Sequence, residues 1–162
     1  MLIRDATAGD WPAIWPFFAA IVEAGETYAY PLGMSSEEGA ALWLEPPPGR
    51  VVVAVDEAGT VLGSAKMGPN RPGRGAHVAT ASFMVDPAYG GRGVGRVLAE
   101  HAVAGAAAAG YRGMQFNAVV ETNVRAVALW RSLGFRAIGT VPEAFDHPTA
   151  GYVGLHVMYR RL

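Results

Sequence analysis

The chain has no cysteine among its 162 residues. That excludes disulfides, thiolate metal sites and cysteine nucleophiles. It has no uninterrupted apolar run of about 18 residues, the length needed to cross a bilayer. The opening "MLIRDATAGDWPAIW" lacks the basic-then-apolar layout of a secretory signal, so the expectation is a soluble cytoplasmic protein with no membrane partner. No excess of positive charge exists to attract nucleic acid, because the formal net charge is −1. The four histidines (His77, His101, His147, His156) have no metal-like spacing, so no metal is expected.

The chain is rich in apolar residues, at 51%, and long enough to bury about two-thirds of its unfolded surface as one domain over residues 1–162. Its charges are unevenly placed. Residues 1–60 carry a balance of −7 and residues 61–162 one of +6. Either this is solvated surface, or the second half meets an anion and the first half receives a cation.

Hydrophobic periodicity gives the order of elements. "LIRDAT" (Leu2–Thr7) reads as a strand, and Asp10 as the cap of a helix with Pro12 early in it. Trp11, Ile14, Trp15, Phe18 and Val22 form that helix's core stripe, and Pro16 is expected to kink it. "GETYAYPLG" (Gly25–Gly33) is a loop before a second helix near Ser35–Leu44. Val51–Asp56 and Val61–Met67 read as a hairpin, and Ala76–Asp86 as a further strand. A helix over Val94–Ala109, a strand over Arg112–Val120 and a helix from Asn123 to Ser132 follow. Two strands, near Phe135–Val141 and Tyr152–Tyr159, finish the chain. The fold class is therefore α/β, with a mixed sheet and helices on both sides.

The stretch "YGGRGVGR" (Tyr89–Arg96) lies between a strand and a helix. Gly90, Gly91, Gly93 and Gly95 could present backbone N–H groups to phosphate at the helix N-terminus, with Arg92 and Arg96 adding charge. The alternative is a turn that needs glycine only for close packing. No Gly-Lys-Ser/Thr follows, so it is not a Walker loop, and the dinucleotide fingerprint fits poorly. About thirty residues on, "ETNVRAVALWRSLGF" (Glu121–Phe135) opens a helix at Asn123 and closes it at Gly134. On its own, that segment is a capped, packed helix.

In this order and spacing the two segments resemble the GCN5-related N-acetyltransferase (GNAT) family. The family's pyrophosphate loop maps onto Gly90, Gly91, Arg92, Gly93, Val94 and Gly95, with Arg96 following. Gly90 stands where the family has Gln or Arg. "SFMVDP" looks like the strand that pairs with the pantetheine arm, which implies that Phe83, Met84 and Val85 lie beside acetyl-CoA. Asn123, Ala126 and Trp130 match the second cofactor-contacting segment. The resemblance implies a mostly antiparallel sheet of about seven strands flanked by about four helices. "MQFNAVVETN", "LWRSLGF" and "GTVPEAF" look like branches acting on free amino acids or small amine toxins, among them phosphinothricin and azetidine-carboxylate acetyltransferases.

The implied activity is acetyl transfer to a small-molecule primary or secondary amine by direct attack, since no covalent nucleophile is evident. The resemblance makes the Val85 N–H the oxyanion donor. It makes Asn117, on the strand after the long helix, a binding and catalytic residue. Glu26 is the candidate to bind or deprotonate the ammonium. Thr27, Tyr28, Tyr30 and Ser82 complete the acceptor wall. Many relatives place tyrosine where Trp130 stands, and an indole cannot serve as an acid. The strand Ala79–Val85 carries no carboxylate. Two other outcomes are a cofactor-binding module without catalysis, and an enzyme for protein N-termini or lysines. The alanine-rich helix Val94–Ala109 permits tight packing within one chain or in a homodimer.

Overall fold

The valine-rich segment Arg50–Val55 (β2) alternates its side chains between two buried layers, because both faces of its strand are covered. In the computed structural model, which describes residues 1–162, it pairs antiparallel with Leu2–Asp5 (β1) and Val61–Pro69 (β3). The sheet continues with Val78–Val85 (β4), Gly113–Val120 (β5), Arg136–His147 (β6) and Gly151–Arg161 (β7). Its seven strands lie in the order β1-β2-β3-β4-β5-β7-β6. Every neighbouring pair is antiparallel except β4 and β5.

The helices Trp11–Ala24 (α1) and Ser36–Trp43 (α2) cover one face, where Ile14, Phe18 and Trp43 pack against Val53 and Met84. Trp43 donates its indole N–H to the buried Ser64 hydroxyl at 2.9 Å, and that hydroxyl donates to the Val52 carbonyl. Both buried polar groups are thereby satisfied. Val94–Ala108 (α3) and Val124–Ser132 (α4) cover the other face, where Ala102, Ala106 and Val127 pack on Met114 and Phe116. No helix is long and apolar enough to cross a membrane.

Two local expectations are corrected. Asp10 stands at the N-cap position of α1, but its side chain makes no capping bond to the helix. A 3-10 turn, Ala8–Asp10, precedes the helix, and Asp10 itself has helical backbone angles. Its carboxylate instead accepts from Thr7 N (2.7 Å), Thr7 Oγ1 (2.9 Å) and both terminal nitrogens of Arg4 (2.8 and 2.6 Å). This turn also ends β1 at Asp5. Helix α1 runs unbroken through Pro16, which lies on its solvent face, so the carbonyl one turn back can be hydrated.

The largest difference is at the C-terminus, where "PEAFDHPTAGY" forms no long loop. Strands β6 and β7 extend through it as a hairpin closed at Pro148–Ala150. The register shifts twice, between Ala137 and Gly139 and between Val141 and Phe145, and Glu143 has φ of 52°. Cross-strand pairing with bulges has overridden the turn-like local sequence.

The Arg4 hydrogen bonds are the main cause holding the Asp10 carboxyl well below the usual carboxylate range; the Thr7 donors help, and burial opposes them. A lowered folded value contributes stability above the unfolded value of about 3.9, and that stability is lost as pH falls below it. Asp10→Asn should therefore cost about 1–3 kcal/mol at pH 7 in urea unfolding. The deficit relative to wild type should shrink at pH 3. An equal deficit at both pH values would show that the carboxylate's charge is unimportant.

Candidate active site

Parallel strands β4 and β5 pair only at Val78 with Gly113 and Ala79 with Met114, and then diverge. The divergence opens a cleft of about 590 Å³. The Asp86 N–H donates to the Leu62 carbonyl on β3. Backbone groups alternate along a strand, so Ala81, Phe83 and Val85 turn theirs toward the cleft. The Tyr28 hydroxyl, from the loop after α1, fills the middle position. It donates to the Phe83 carbonyl at 2.7 Å and accepts from the Phe83 N–H at 3.1 Å. Burial pushes its titration well above the ordinary tyrosine value, so this hydroxyl keeps its proton. Val85, one position along, presents a free N–H.

Aromatic side chains line the floor. Trp130 lies 5.0 Å from Phe83 and 4.8 Å from Phe116, centroid to centroid. Tyr30 stacks on Tyr28 at 5.2 Å. Across the cleft, β5 carries two residues, Asn117 and Ala118, between the pairs Phe116–Met158 and Val119–His156. That bulge re-aims Asn117, which lines the cleft. Its carbonyl accepts from Gln115 Nε2 at 2.8 Å, and its amide donates to Asn70 Oδ1 at 2.6 Å.

Thr27, Tyr28, Tyr30, Ser82, Phe83, Met84, Val85, Asn117, Asn123, Ala126 and Trp130 are thus brought to one cleft. Glu26 is not. It is exposed beyond the left-handed turn at Gly25 and contributes nothing to the lining, where an unpaired carboxylate would carry a desolvation cost. Asn70, Phe116 and Phe145 were not anticipated. Asn70 sits in a loop whose sequence gives no sign of its partner 47 residues away. Phe145 reaches the cleft only because the C-terminal hairpin arches over it; a Cβ at Gly25 would lie 3.9 Å from Pro148 of that hairpin.

The glycine-rich segment adjoins this cleft at the end of β4. A 3-10 turn, Pro87–Tyr89, is capped by the Asp86 carboxylate, and the Gly90 N–H is already bonded to the Pro87 carbonyl. Gly91 and Gly93 take φ of 76° and 80°, a region that side-chain-bearing residues rarely adopt. The first α3 backbone bond runs from Val97 N to Gly93 O. The six N–H groups from Gly91 to Arg96 consequently have no partner within the chain. Converging donors at a helix N-terminus form a ready anion site. The Arg92 guanidinium lies over the Tyr89 ring at 5.3 Å. Arg96 is directed elsewhere, to Ser132 Oγ at 2.9 Å and Glu100 at 3.5 Å, so it offers this site its backbone N–H and not its guanidinium. Asn123 caps α4 by accepting from Ala126 N at 3.2 Å.

Comparison with known proteins gives a consistent family. The model of the acetyltransferase (GNAT) family matches residues 11–135. A GCN5-related N-acetyltransferase from Kribbella flavida is 63% identical, with a TM-score of 0.97 over 99% of this chain and 97% of that one. A ribosomal-protein-alanine N-acetyltransferase from Brucella melitensis is 29% identical, with a TM-score of 0.88 over 100% of both chains. A phosphinothricin acetyltransferase from Sinorhizobium meliloti, solved in complex with AcCoA, is 26% identical; its TM-score is 0.89 over 99% of this chain and 88% of that one. N-acetyltransferase aca1 of Schizosaccharomyces pombe is 28% identical over 76% of this chain, and the match spans 66% of that protein's length.

The double hydrogen bond to Tyr28 should be visible in isolation. Tyr28→Phe should lower stability by about 1–3 kcal/mol and speed amide exchange at Phe83 selectively. Unchanged exchange at Phe83 would mean that water replaces the hydroxyl without loss.

Proposed function

The chain belongs to the acetyltransferase (GNAT) family, and we propose that it transfers acetyl from acetyl-CoA to a small-molecule amine by direct attack in a ternary complex. The observation that carries this reading is the row of six unpartnered N–H groups, Gly91–Arg96, one short turn beyond the open edge of β4. The row fits a pyrophosphate, with Gly91 and Gly93 leaving the backbone bare and Arg92 beside it. The β4 edge fits an extended arm with amide groups, pairing at Val85.

Acetyl-CoA supplies an activated acyl carbon as a thioester. The amine nitrogen bonds to that carbon, the carbon–sulfur bond breaks, the nitrogen gives up one proton and the departing thiolate takes one up. On this reading, Tyr28 sets the register. Its hydroxyl blocks Phe83, so the arm pairs at Val85 and its reactive end comes to rest among Tyr28, Trp130 and Asn117. The Val85 N–H is the donor to oxygen as negative charge develops there; such donors are worth about 100- to 1,000-fold in rate. Trp130 and Phe83 form the apolar seat for sulfur. Asn117, held by Gln115 and Asn70, orients the amine without accepting its proton. Glu26 has no part in this scheme.

Acetyl-CoA at about 100 times its dissociation constant should add about 2.7 kcal/mol, raising Tm by about 5–10 °C. Gly93→Glu should abolish that shift while keeping a cooperative melting transition at a lowered Tm, since a Cβ there meets nothing within 4 Å but the φ of 80° strains a residue that carries a side chain. No shift in the wild type would refute the cofactor site. In a thiol-release assay, Asn117→Ala should lower turnover and preserve the cofactor-induced shift. Loss of both would make Asn117 structural.

A further inference from the structure

Resting on the transferase reading above, we propose that the acceptor is a planar, weakly basic amine, uncharged at neutral pH, such as an arylamine or arylhydrazine. Zwitterionic amino acids and alkylammonium ions are then poor acceptors. The inference comes from what the cleft walls contain. On the acceptor side the cleft is lined by Thr27, Tyr28, Tyr30, Asn117, Phe145 and Leu155, and neither these nor the residues lining the cofactor side include an Asp, Glu, Lys, Arg or His.

Several charged groups close to the cleft in sequence or space are bonded elsewhere or exposed. Glu26 faces solvent. The Glu121 carboxylate accepts the Gly154 N–H at 2.6 Å. Lys66 and Glu45, behind Tyr30, neutralise each other at 2.9 Å, and Lys66 also donates to the Leu42 carbonyl. Arg71 donates to the carbonyl of its neighbour Asn70. His147 Nδ1 lies within hydrogen-bond reach of the Thr149 and Ala150 amides in the hairpin turn.

An ammonium entering such a cleft loses its hydration and finds no counter-charge, which favours loss of its proton before entry. Once inside it would find no base, because the ionisable lining groups are Tyr28 and Tyr30, both shifted upward first by burial. A free amino acid faces the same penalty twice, with a carboxylate that also lacks a cationic partner. An amine whose conjugate acid dissociates below neutral pH meets neither obstacle. The same wall explains why no carboxylate is needed on β4. Its nitrogen attacks as the neutral form, and the proton it carries leaves only as the carbon–nitrogen bond forms and the thiolate departs. The stacked Tyr28 and Tyr30 rings, 5.2 Å apart, supply a flat aromatic wall against which an aromatic acceptor can lie. Asn117 keeps one N–H and one lone pair free for the amino group after its bonds to Gln115 and Asn70.

The test compares p-toluidine with benzylamine, free phenylalanine and an alanine-starting peptide in thiol release from acetyl-CoA. The expected result at pH 7 is kcat/KM for p-toluidine at least about tenfold above the others, and flat from pH 6 to 9. Benzylamine should gain about tenfold per pH unit over pH 6–8 as its neutral fraction grows. A binding readout runs in parallel. By calorimetry, p-cresol should bind the protein and the benzylammonium ion should not.

Phenylalanine, benzylamine or the peptide outrunning p-toluidine at pH 7 would overturn the inference and leave the transferase reading intact. Tighter binding of benzylammonium than of p-cresol would overturn it as well. No thiol release from any acceptor, with p-cresol still bound in preference, would remove the transferase reading and uphold the cleft's selection of uncharged ligands.

Discussion

The separation of β4 from β5 is the constraint on which the site depends. Two parallel pairs hold the strands together at Val78 and Ala79, and beyond them the strands part around a cleft lined by Tyr28 on one side and Trp130 on the other. An exposed sheet edge leaves donors and acceptors without partners. Here that edge faces a cleft, so water can satisfy it until a ligand does. Tyr28 closes one position of the edge and leaves the next one, Val85, free.

The glycine-rich turn extends the same row of donors. Asp86 caps the 3-10 turn, Gly90 is tied back to Pro87, and the six amides that follow are left together at the head of α3. The family's side chain at position 90 is absent, yet the backbone is held without it. The row of free amides therefore depends on backbone conformation and not on arginine: Arg92 leans on Tyr89, and Arg96 braces α3 against α4. The open strand edge and the unpartnered turn amides thus lie on either side of the bonded Asp86–Gly90 backbone, and no charged side chain lines the cleft beside them.

Much of the cofactor side was legible in the residue order because its signals are local. Glycines at positive φ, an asparagine one turn before Ala126 and an apolar strand ending in Asp-Pro each act over a few residues. The acceptor side was less legible. Glu26 was read as a contact from its charge and its neighbours, but the turn at Gly25 directs it to water. The Asn70–Asn117 and Tyr28–Phe83 contacts link residues 47 and 55 positions apart, a separation at which no periodicity carries information.

By itself the sequence determined the α/β class, nearly all the elements, the glycine turn and the capped α4, because these follow from backbone preference and hydrophobic period. Only the tertiary structure decided where the strands part, which N–H on β4 stays free, and that the C-terminal hairpin arches over the cleft. It also decided that the cleft walls carry no charge. The physical reason is the same throughout. Pairing, desolvation and side-chain direction depend on neighbours in space, and in this chain the neighbours that shape the acceptor pocket are far apart in sequence.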